Sequence, residues 1–173
     1  GHETIAYISG TIDTQSGRMR LKTYRDMLEK NGIPVEESLI RNTTYNWYGG
    51  YSAMMDILRQ GNMPTAVMYA NDVIALGAMR ALKEKNISVP KDMSVIGYDD
   101  IDQATYCTPA LTTVHQLKYE MGSTSVDLLV QRILGEKSAS GKKICISFDT
   151  QIVVRETVNY ARSIIEQYIH MKS

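Results

Sequence analysis

The sequence has few cysteines and no long apolar run. Cys107 and Cys145 are the two thiols among 173 residues, and two distant thiols make neither a disulfide scaffold nor a metal cluster. No stretch approaches the roughly 18 consecutive apolar residues that a membrane-spanning helix needs. No basic segment followed by an apolar stretch marks an export signal. These absences favour a cytoplasmic chain that does not insert into membranes.

A surplus of charge of either sign is also missing. Lys and Arg together number 19, as do Asp and Glu, so the formal net charge is zero. This balance argues against a domain whose main task is to grip the phosphates of nucleic acid. It does not exclude a regulatory domain separated from its DNA-binding module. Hydrophobic residues at 43% and charged residues at 22% are typical of a globular protein.

Catalytic and metal-binding patterns are scarce. None of His2, His115 and His170 has a Cys, His or carboxylate partner at metal-ligand spacing. The sequence contains neither a nucleophile elbow nor a phosphate-binding loop. We therefore expect no metal, no cofactor and no enzymatic reaction. An enzyme that uses Asp99 with Arg20 is an alternative without a nameable nucleophile or partnered general base.

What the sequence does contain is an alternation of strand and helix patterns. Short runs of β-forming residues predict strands at 5–9, 38–40, 66–70 and 94–98. Helical spacing between them predicts helices at about 17–31, 50–60 and 72–86. Strands and helices that alternate through short connections predict an α/β fold, a parallel sheet with helices on both faces.

The alternation changes after residue 100. We expect an irregular loop over 101–111 and a short extended segment over 112–115. An amphipathic helix is predicted over 117–134, followed by a linker of Gly, Ser and Lys over 135–142. The remaining predictions are strands at 144–148 and 152–154, and a terminal helix at 156–171.

Polar and aromatic residues follow each of the four predicted strands. In an open parallel sheet, ligands bind outside the carboxyl ends of the strands, so these residues should converge on one rim. Arg supplies a fork of donors, Asp and Asn supply acceptors, and aromatic rings cover the apolar side of a sugar or a base. The rim set is Asp13, Arg18, Arg20, Asn42, Tyr45, Trp47, Asn71, Asp72, Asp99 and Asp100.

Members of this rim set have structural alternatives. Asn71 is placed to cap the third helix. The pair Asp99 and Asp100 also suits a turn at a strand end. Tyr45 and Trp47 can pack on the sheet edge. Both interpretations stay open at this point, and the convergence of the set is what favours a site for a small polyhydroxylated or heterocyclic ligand.

Three motifs resemble segments of the LacI/GalR family of bacterial transcriptional regulators. The segments 67–78, 89–100 and 109–116 read VMYANDVIALGA, VPKDMSVIGYDD and PALTTVHQ, and they follow one another in the expected register. The resemblance extends from residue 1 to about residue 157. Because the sequence begins almost directly in a strand, we expect it to be a fragment of such a regulator.

The resemblance implies a two-lobed effector-binding domain of the periplasmic-binding-protein type, whose lobes are three-layer α/β/α structures. Residues 1–112 would then be the second lobe. Residues 113–142 would be a crossover segment that normally packs on the first lobe, and residues 143–173 the return strands and terminal helix. Without the first lobe, we expect the helix over 117–134 to pack on a neighbouring copy or to be mobile.

The resemblance also implies roles for individual residues. Arg20, Asn71 and Asp99 match positions that bind effector in sugar-binding members, and Tyr45 matches an aromatic position that stacks on the ligand. Trp47 is a second aromatic that would favour a larger ring system. The segment 20–24 reads RLKTY, where family members often have Arg-Leu-x-Gly-Tyr, so we expect the helix packing or pocket shape to differ there.

The function implied is the effector-binding and dimerisation portion of a regulator that responds to a sugar, a sugar phosphate or a purine. Operator DNA would be bound only through a helix-turn-helix domain outside this sequence. We expect a homodimer in which Met79 and Tyr106 are anchors, although a core position suits Met79 equally well. The alternative function is an exported sugar-binding protein of a transporter, which shares the fold.

Overall fold

The centre of the molecule is a parallel sheet of four strands. The computed structural model describes residues 1–135 and 144–165. The strands β1 to β4 lie in the order β2-β1-β3-β4, all parallel, as the alternating pattern predicted. Their bounds are Ile5–Ser9 for β1, Ile40–Asn42 for β2, Ala66–Tyr69 for β3 and Ser94–Ile96 for β4.

Three helices connect these strands, namely α1 (Gln15–Lys30), α2 (Trp47–Arg59) and α3 (Asp72–Glu84). Each helix is preceded by a polar residue whose side chain accepts a hydrogen bond from a backbone N–H of the first turn. Such caps satisfy amides that have no partner within the helix. The caps of α1 and α2 lie upstream of the first periodic apolar residue, so these helices begin two or three residues earlier than the spacing predicted.

Helices cover both faces of the sheet. Successive side chains of a strand point to opposite faces, so Tyr7 and Ile8 of β1 mark one face each. Tyr7 stacks on Tyr24 of α1 with ring centroids 5.0 Å apart. Tyr69, paired in register with Ile8, donates its hydroxyl to the sulfur of Met54 in α2 at 3.4 Å. The three-layer α/β/α arrangement is therefore confirmed.

The two helices on the second face, α2 and α3, touch through their backbones. A Cβ atom on Gly50 would lie 2.0 Å from the carbonyl oxygen of Ile74, and one on Gly77 would lie 1.9 Å from that of Trp47. Neither position can accept a side chain without moving a helix. The two glycines thus set the distance between α2 and α3.

Two predictions for the connecting segments were wrong. The residues Glu37–Leu39 form a 3-10 turn, and strand β2 follows it rather than spanning 38–40. The segment predicted as an irregular loop over 101–111 contains a short helix, α4 (Asp102–Tyr106). In that five-residue helix Ala104 is the one buried residue, so the helix has no apolar periodicity from which it could be predicted.

Beyond β4, two short strands leave the parallel sheet. The strands β5 (Thr113–His115) and β6 (Gln151–Val153) pair in antiparallel fashion. Two isolated parallel bridges, from Thr112 to Ile96 and from His115 to Asp99, connect this pair to the edge of the parallel sheet. The strand predicted at 144–148 was wrong, because residues 144–150 have no regular structure and no neighbouring strand to pair with among the described residues.

Helix α5 (Lys118–Ile133) follows β5 and buries none of its residues. Residues 162–165 are helical, whereas the predicted helix start at 156 was wrong. There the backbone bonds to the sheet instead, with Val95 N–H donating to the carbonyl of Thr157 at 2.7 Å. The predicted linker over 135–142, beyond its first residue, and the rest of the predicted terminal helix lie outside the described residues.

Across residues 1–135 and 144–165, no helix combines the length and the hydrophobicity needed to cross a membrane.

Candidate ligand-binding site

Arg20 occupies the carboxyl end of the parallel sheet. Its Nη1 donates to the carbonyl of Ala70, directly after β3, at 2.5 Å. Its guanidinium lies over the ring of Tyr98, after β4, with 3.9 Å between the guanidinium carbon and the ring centroid. A cation held over a ring in this way is both attracted and oriented. Arg20 therefore connects α1 to the ends of two strands.

Asp99 faces the same end of the sheet. Its backbone has a φ of 114°, a conformation that a non-glycine residue rarely adopts. One carboxylate oxygen accepts a hydrogen bond from the side-chain amide of Gln116 at 2.5 Å. Burial raises the pKa of Asp99 above its usual range, and the positive charge of nearby Arg20 opposes that rise. Arg20 and Asp99 thus bring a positively charged donor and a carboxylate acceptor to the same end of the sheet.

Asp100 has a different environment from its neighbour. Its carboxylate accepts hydrogen bonds from His115 Nδ1 at 2.8 Å and from Arg155 Nη2 at 2.6 Å. Burial alone would raise the pKa of Asp100, but the hydrogen bonds from Arg155 and His115 outweigh it and hold that pKa below its usual range. The two adjacent carboxylates therefore serve different partners.

Asp72 is a buried structural residue. Its carboxylate accepts a hydrogen bond from the hydroxyl of Thr113 at 2.5 Å and another from the backbone N–H of Ile101 at 3.0 Å. Gly97 lies against it, since a Cβ there would be 2.1 Å from an Asp72 oxygen. Asp72 thus joins α3 to the loop after β4 and to β5.

Tyr45 covers the end of β1. A Cβ atom on Gly10 would lie 2.1 Å from Cζ of the Tyr45 ring, so the ring requires a glycine beneath it. The buried hydroxyl of Tyr7 has no hydrogen-bond partner among the described residues. Burial raises the pKa of Tyr7 to about 12; the charge of Arg20 acts against this rise and Tyr45 adds to it. The Tyr45 ring thus packs over the end of β1, above Gly10.

Asn71 has the structural role that the sequence left open. Its side-chain oxygen accepts a hydrogen bond from the backbone N–H of Ile74 at 3.0 Å and caps α3. The residue lies at the end of β3, next to the Ala70 carbonyl that Arg20 binds. Capping uses the oxygen of the side chain and leaves its amide N–H groups for a ligand, which remains a prediction.

Trp47 packs against its own helix. It is in the first turn of α2, and its ring stacks on Tyr51 with centroids 5.7 Å apart. Tyr51 in turn donates to a carboxylate oxygen of Glu84, at the end of α3. No contact among the described residues joins Trp47 to Arg20. Trp47 and Tyr45 both follow β2 within a few residues, and a contact of Trp47 with the ligand stays a prediction.

Three residues that contact or influence the predicted site residues were not among them, namely Tyr7, Tyr98 and Gln116. Tyr98 and Gln116 both fall inside motifs that resemble the LacI/GalR family, and that was the available signal. Tyr7 carries no such signal, since a tyrosine in a buried strand is ordinary core composition.

Sequence comparison shows which known proteins this chain is similar to. Residues 1–158 match the family model for a periplasmic binding protein-like domain. The ribose operon repressor of Escherichia coli (strain K12) is 39% identical over 133 residues, which are 77% of this chain and 40% of that protein. The repressor PurR of Haemophilus influenzae (strain PittEE) is 34% identical over 158 residues, 91% of this chain and 47% of that protein. The chain belongs to the LacI/GalR family.

Solved structures of LacI/GalR regulators have the same fold. The complex of the transcriptional regulator CelR with cellobiose superposes with a TM-score of 0.85 at 34% identity, covering 91% of this chain and 47% of that one. The lac repressor dimer bound to operator and the anti-inducer ONPF gives 0.81 at 35% identity, covering 91% and 53%. The chain spans less than half the length of the curated relatives described above.

Proposed function

We propose that this chain is the effector-binding and dimerisation portion of a bacterial transcriptional regulator, and that it carries out no chemical reaction. The observation that carries the proposal is that Arg20 and Asp99 both lie at the carboxyl end of a LacI/GalR sheet. Effector binding would change how the two lobes of the whole protein close, and so bias its DNA-binding state. Operator DNA would be bound through a helix-turn-helix domain outside this sequence, in the cytoplasm.

The ligand chemistry follows from the side chains at the site. A guanidinium and a carboxylate together suit vicinal hydroxyl groups, one donating to the ligand and the other accepting from it. The rings of Tyr45 and Tyr98 add apolar faces. We infer a sugar as the leading class, because one relative is named for the ribose operon and another is in complex with cellobiose. Sugar phosphates and purines are the other classes.

A thermal-shift screen of the chain tests the effector site. The probes are D-ribose, cellobiose, ribose 5-phosphate and hypoxanthine. A ligand at 100 times its Kd should stabilise the bound state by about 2.7 kcal/mol. The shift should vanish in Asp99→Ala and persist in Asp102→Ala, which removes an exposed carboxylate of α4. A shift that persists in Asp99→Ala would place the ligand elsewhere.

A regulator is favoured over an exported sugar-binding protein because the relatives and solved structures described above are named as repressors or transcriptional regulators. The division of the chain at residues 112 and 142 is part of the same proposal. It agrees with α5, the helix that would meet the first lobe, having no buried residue.

We also propose that the chain forms a homodimer. A groove of about 550 Å³ runs beside α3, and its lining includes Leu76, Met79 and the segment Cys107–Pro109. Tyr106, next to this groove in sequence, is 82% exposed. Apolar side chains around a groove of this kind are typical of a subunit contact. A lac repressor structure of the same fold is described as a dimer.

A further inference from the structure

Three charged or titratable side chains meet behind Asp99, and the proposed ligand site does not use them. Asp100 lies between His115 and Arg155, with one carboxylate oxygen bonded to each. The side chains of Asp100 and Arg155 are 16% and 17% exposed, and that of His115 is 39% exposed. We call Asp100, His115 and Arg155 the clasp.

The clasp joins three separate chain segments. Asp100 belongs to the loop after β4, His115 ends β5, and Arg155 follows β6. Arg155 is itself fixed, since its Nη1 donates to the carbonyl of Leu111 at 2.8 Å and its backbone N–H donates to the hydroxyl of Thr112 at 2.9 Å. The clasp therefore holds the two outgoing strands against the loop that carries Asp99.

That loop needs external support. Asp99 and Asp100 have φ values of 114° and 51°, both in the left-handed region that residues other than glycine avoid. Two such residues in succession persist only when their surroundings hold them. Asp100 is held by the clasp. Asp99 is held by residues just beyond His115, because Gln116 donates to its carboxylate and Lys118 donates to its carbonyl at 2.7 Å.

We propose that His115 and Arg155, acting through Asp100, are positioning residues. They hold the carboxylate of Asp99 where one ligand can contact both Asp99 and Arg20. The inference rests on the proposed function of the site. Exposed ion pairs contribute little because water screens them. A pair as buried as Asp100 with Arg155 instead fixes geometry, and a binding group must be held within about 0.5 Å of its productive position. The affinity of the site for its ligand then depends on side chains that never touch the ligand.

The test compares ligand affinity with stability in matched variants. Asp100→Asn keeps the shape of the side chain and removes its charge, and His115→Gln is a milder change. Asp56→Asn is the control, because it removes a carboxylate from an exposed pair with Arg59 on α2. Isothermal titration of the whole chain uses whichever of D-ribose, cellobiose, ribose 5-phosphate or hypoxanthine the screen detects.

We expect Asp100→Asn to weaken binding tenfold or more, His115→Gln to weaken it less, and Asp56→Asn to leave it unchanged. In an Asp99→Asn background, Asp100→Asn should cause no further loss, because its effect runs through Asp99. The proposal is overturned if Asp100→Asn lowers the Tm while the affinity stays the same. It is also overturned if the losses of binding free energy caused by Asp99→Asn and by Asp100→Asn are additive in the double variant.

A readout without ligand keeps this test separate from the proposed function. The side-chain amide resonance of Gln116 in an NMR spectrum reports its contact with Asp99. It should move in Asp100→Asn and in His115→Gln, and stay in place in Asp56→Asn. If wild type binds none of the four probes but the resonance moves as expected, the proposed effector classes are wrong and the positioning role of the clasp is supported. If the resonance does not move in either variant, the clasp does not position Asp99 and the proposal is wrong.

Discussion

Asp99 and Asp100 show how far neighbouring residues of one type can differ. Both lie in the loop after β4 and both have a left-handed backbone. Burial dominates around Asp99 and raises its pKa, whereas hydrogen bonds from Arg155 and His115 dominate around Asp100 and lower its pKa. The sequence could place the pair at the end of β4, and the family resemblance could rank Asp99 as the ligand-binding member. It could not find Arg155, which lies 55 residues further along the chain.

The pKa of Asp100 predicts how stability responds to acid. Because its pKa is lower in the folded state than in the unfolded state, Asp100 stabilises the fold at neutral pH. That contribution is lost as pH falls below about 4 toward the folded-state pKa. Urea unfolding between pH 3 and 7 should therefore show a smaller acid-dependent loss in Asp100→Asn than in wild type. Asp102→Asn should behave as wild type, and an equal slope in all three proteins would contradict the assignment.

Single secondary-structure elements were predictable where they bury a periodic face. The strands β1 and β3 and the helices α1 to α3 were found this way, with errors of up to three residues where a cap extends a helix. Helix α4 was missed because it is too short to show a period. The apolar residues of 144–148 resemble a strand, but Ile144 and Ile146 are 56% and 48% exposed and pair with nothing described. A strand forms only where another strand lies beside it, and the local pattern of residues 144–148 does not show whether one does.

The contact between α2 and α3 predicts opposite effects for two glycine substitutions. Gly77→Ala should destabilise the protein by about 2 kcal/mol or more, because the new methyl group would overlap a backbone carbonyl. Gly122→Ala in α5 should stabilise it by up to about 1 kcal/mol, because alanine favours helix and nothing lies within 4 Å of that position. Urea unfolding measures both. Two stabilising substitutions would mean that α2 and α3 lie further apart.

Helix α5 buries no residue, and this predicts fast amide exchange. A 16-residue helix that buries none of its residues gains little from tertiary packing and is marginal in water. Hydrogen exchange of the chain, diluted until monomeric, should therefore be much faster in α5 than in α3, which contains seven buried residues. Protection of α5 that rises with protein concentration would indicate packing on a neighbouring copy. Uniform protection in the dilute monomer would contradict both expectations from the sequence.

At the scale of the whole molecule, the groove beside α3 predicts an association equilibrium. Met79→Asp places a charge in the lining of the groove, and Tyr106→Ser removes an exposed ring. Each should weaken dimerisation tenfold or more in sedimentation experiments. Met79 is itself half-buried against the core, so each variant is first checked for an unchanged Tm. Met27→Asp is the control for an added surface charge, because Met27 is an exposed methionine on α1 outside the lining of the groove. Equal sedimentation of all variants and wild type would remove the groove as the contact.

Trp47 is the one tryptophan in the sequence, and it lies on α2 with its ring against Tyr51. All tryptophan fluorescence of the protein therefore comes from a single, 45% exposed position beside α3. Its emission wavelength reports the polarity at that position without any added label. A shift of the emission during ligand titration would indicate that Trp47 is part of the effector site, as the sequence predicted. If the emission shifts instead when the protein is concentrated, Trp47 lies at or near the contact between two copies.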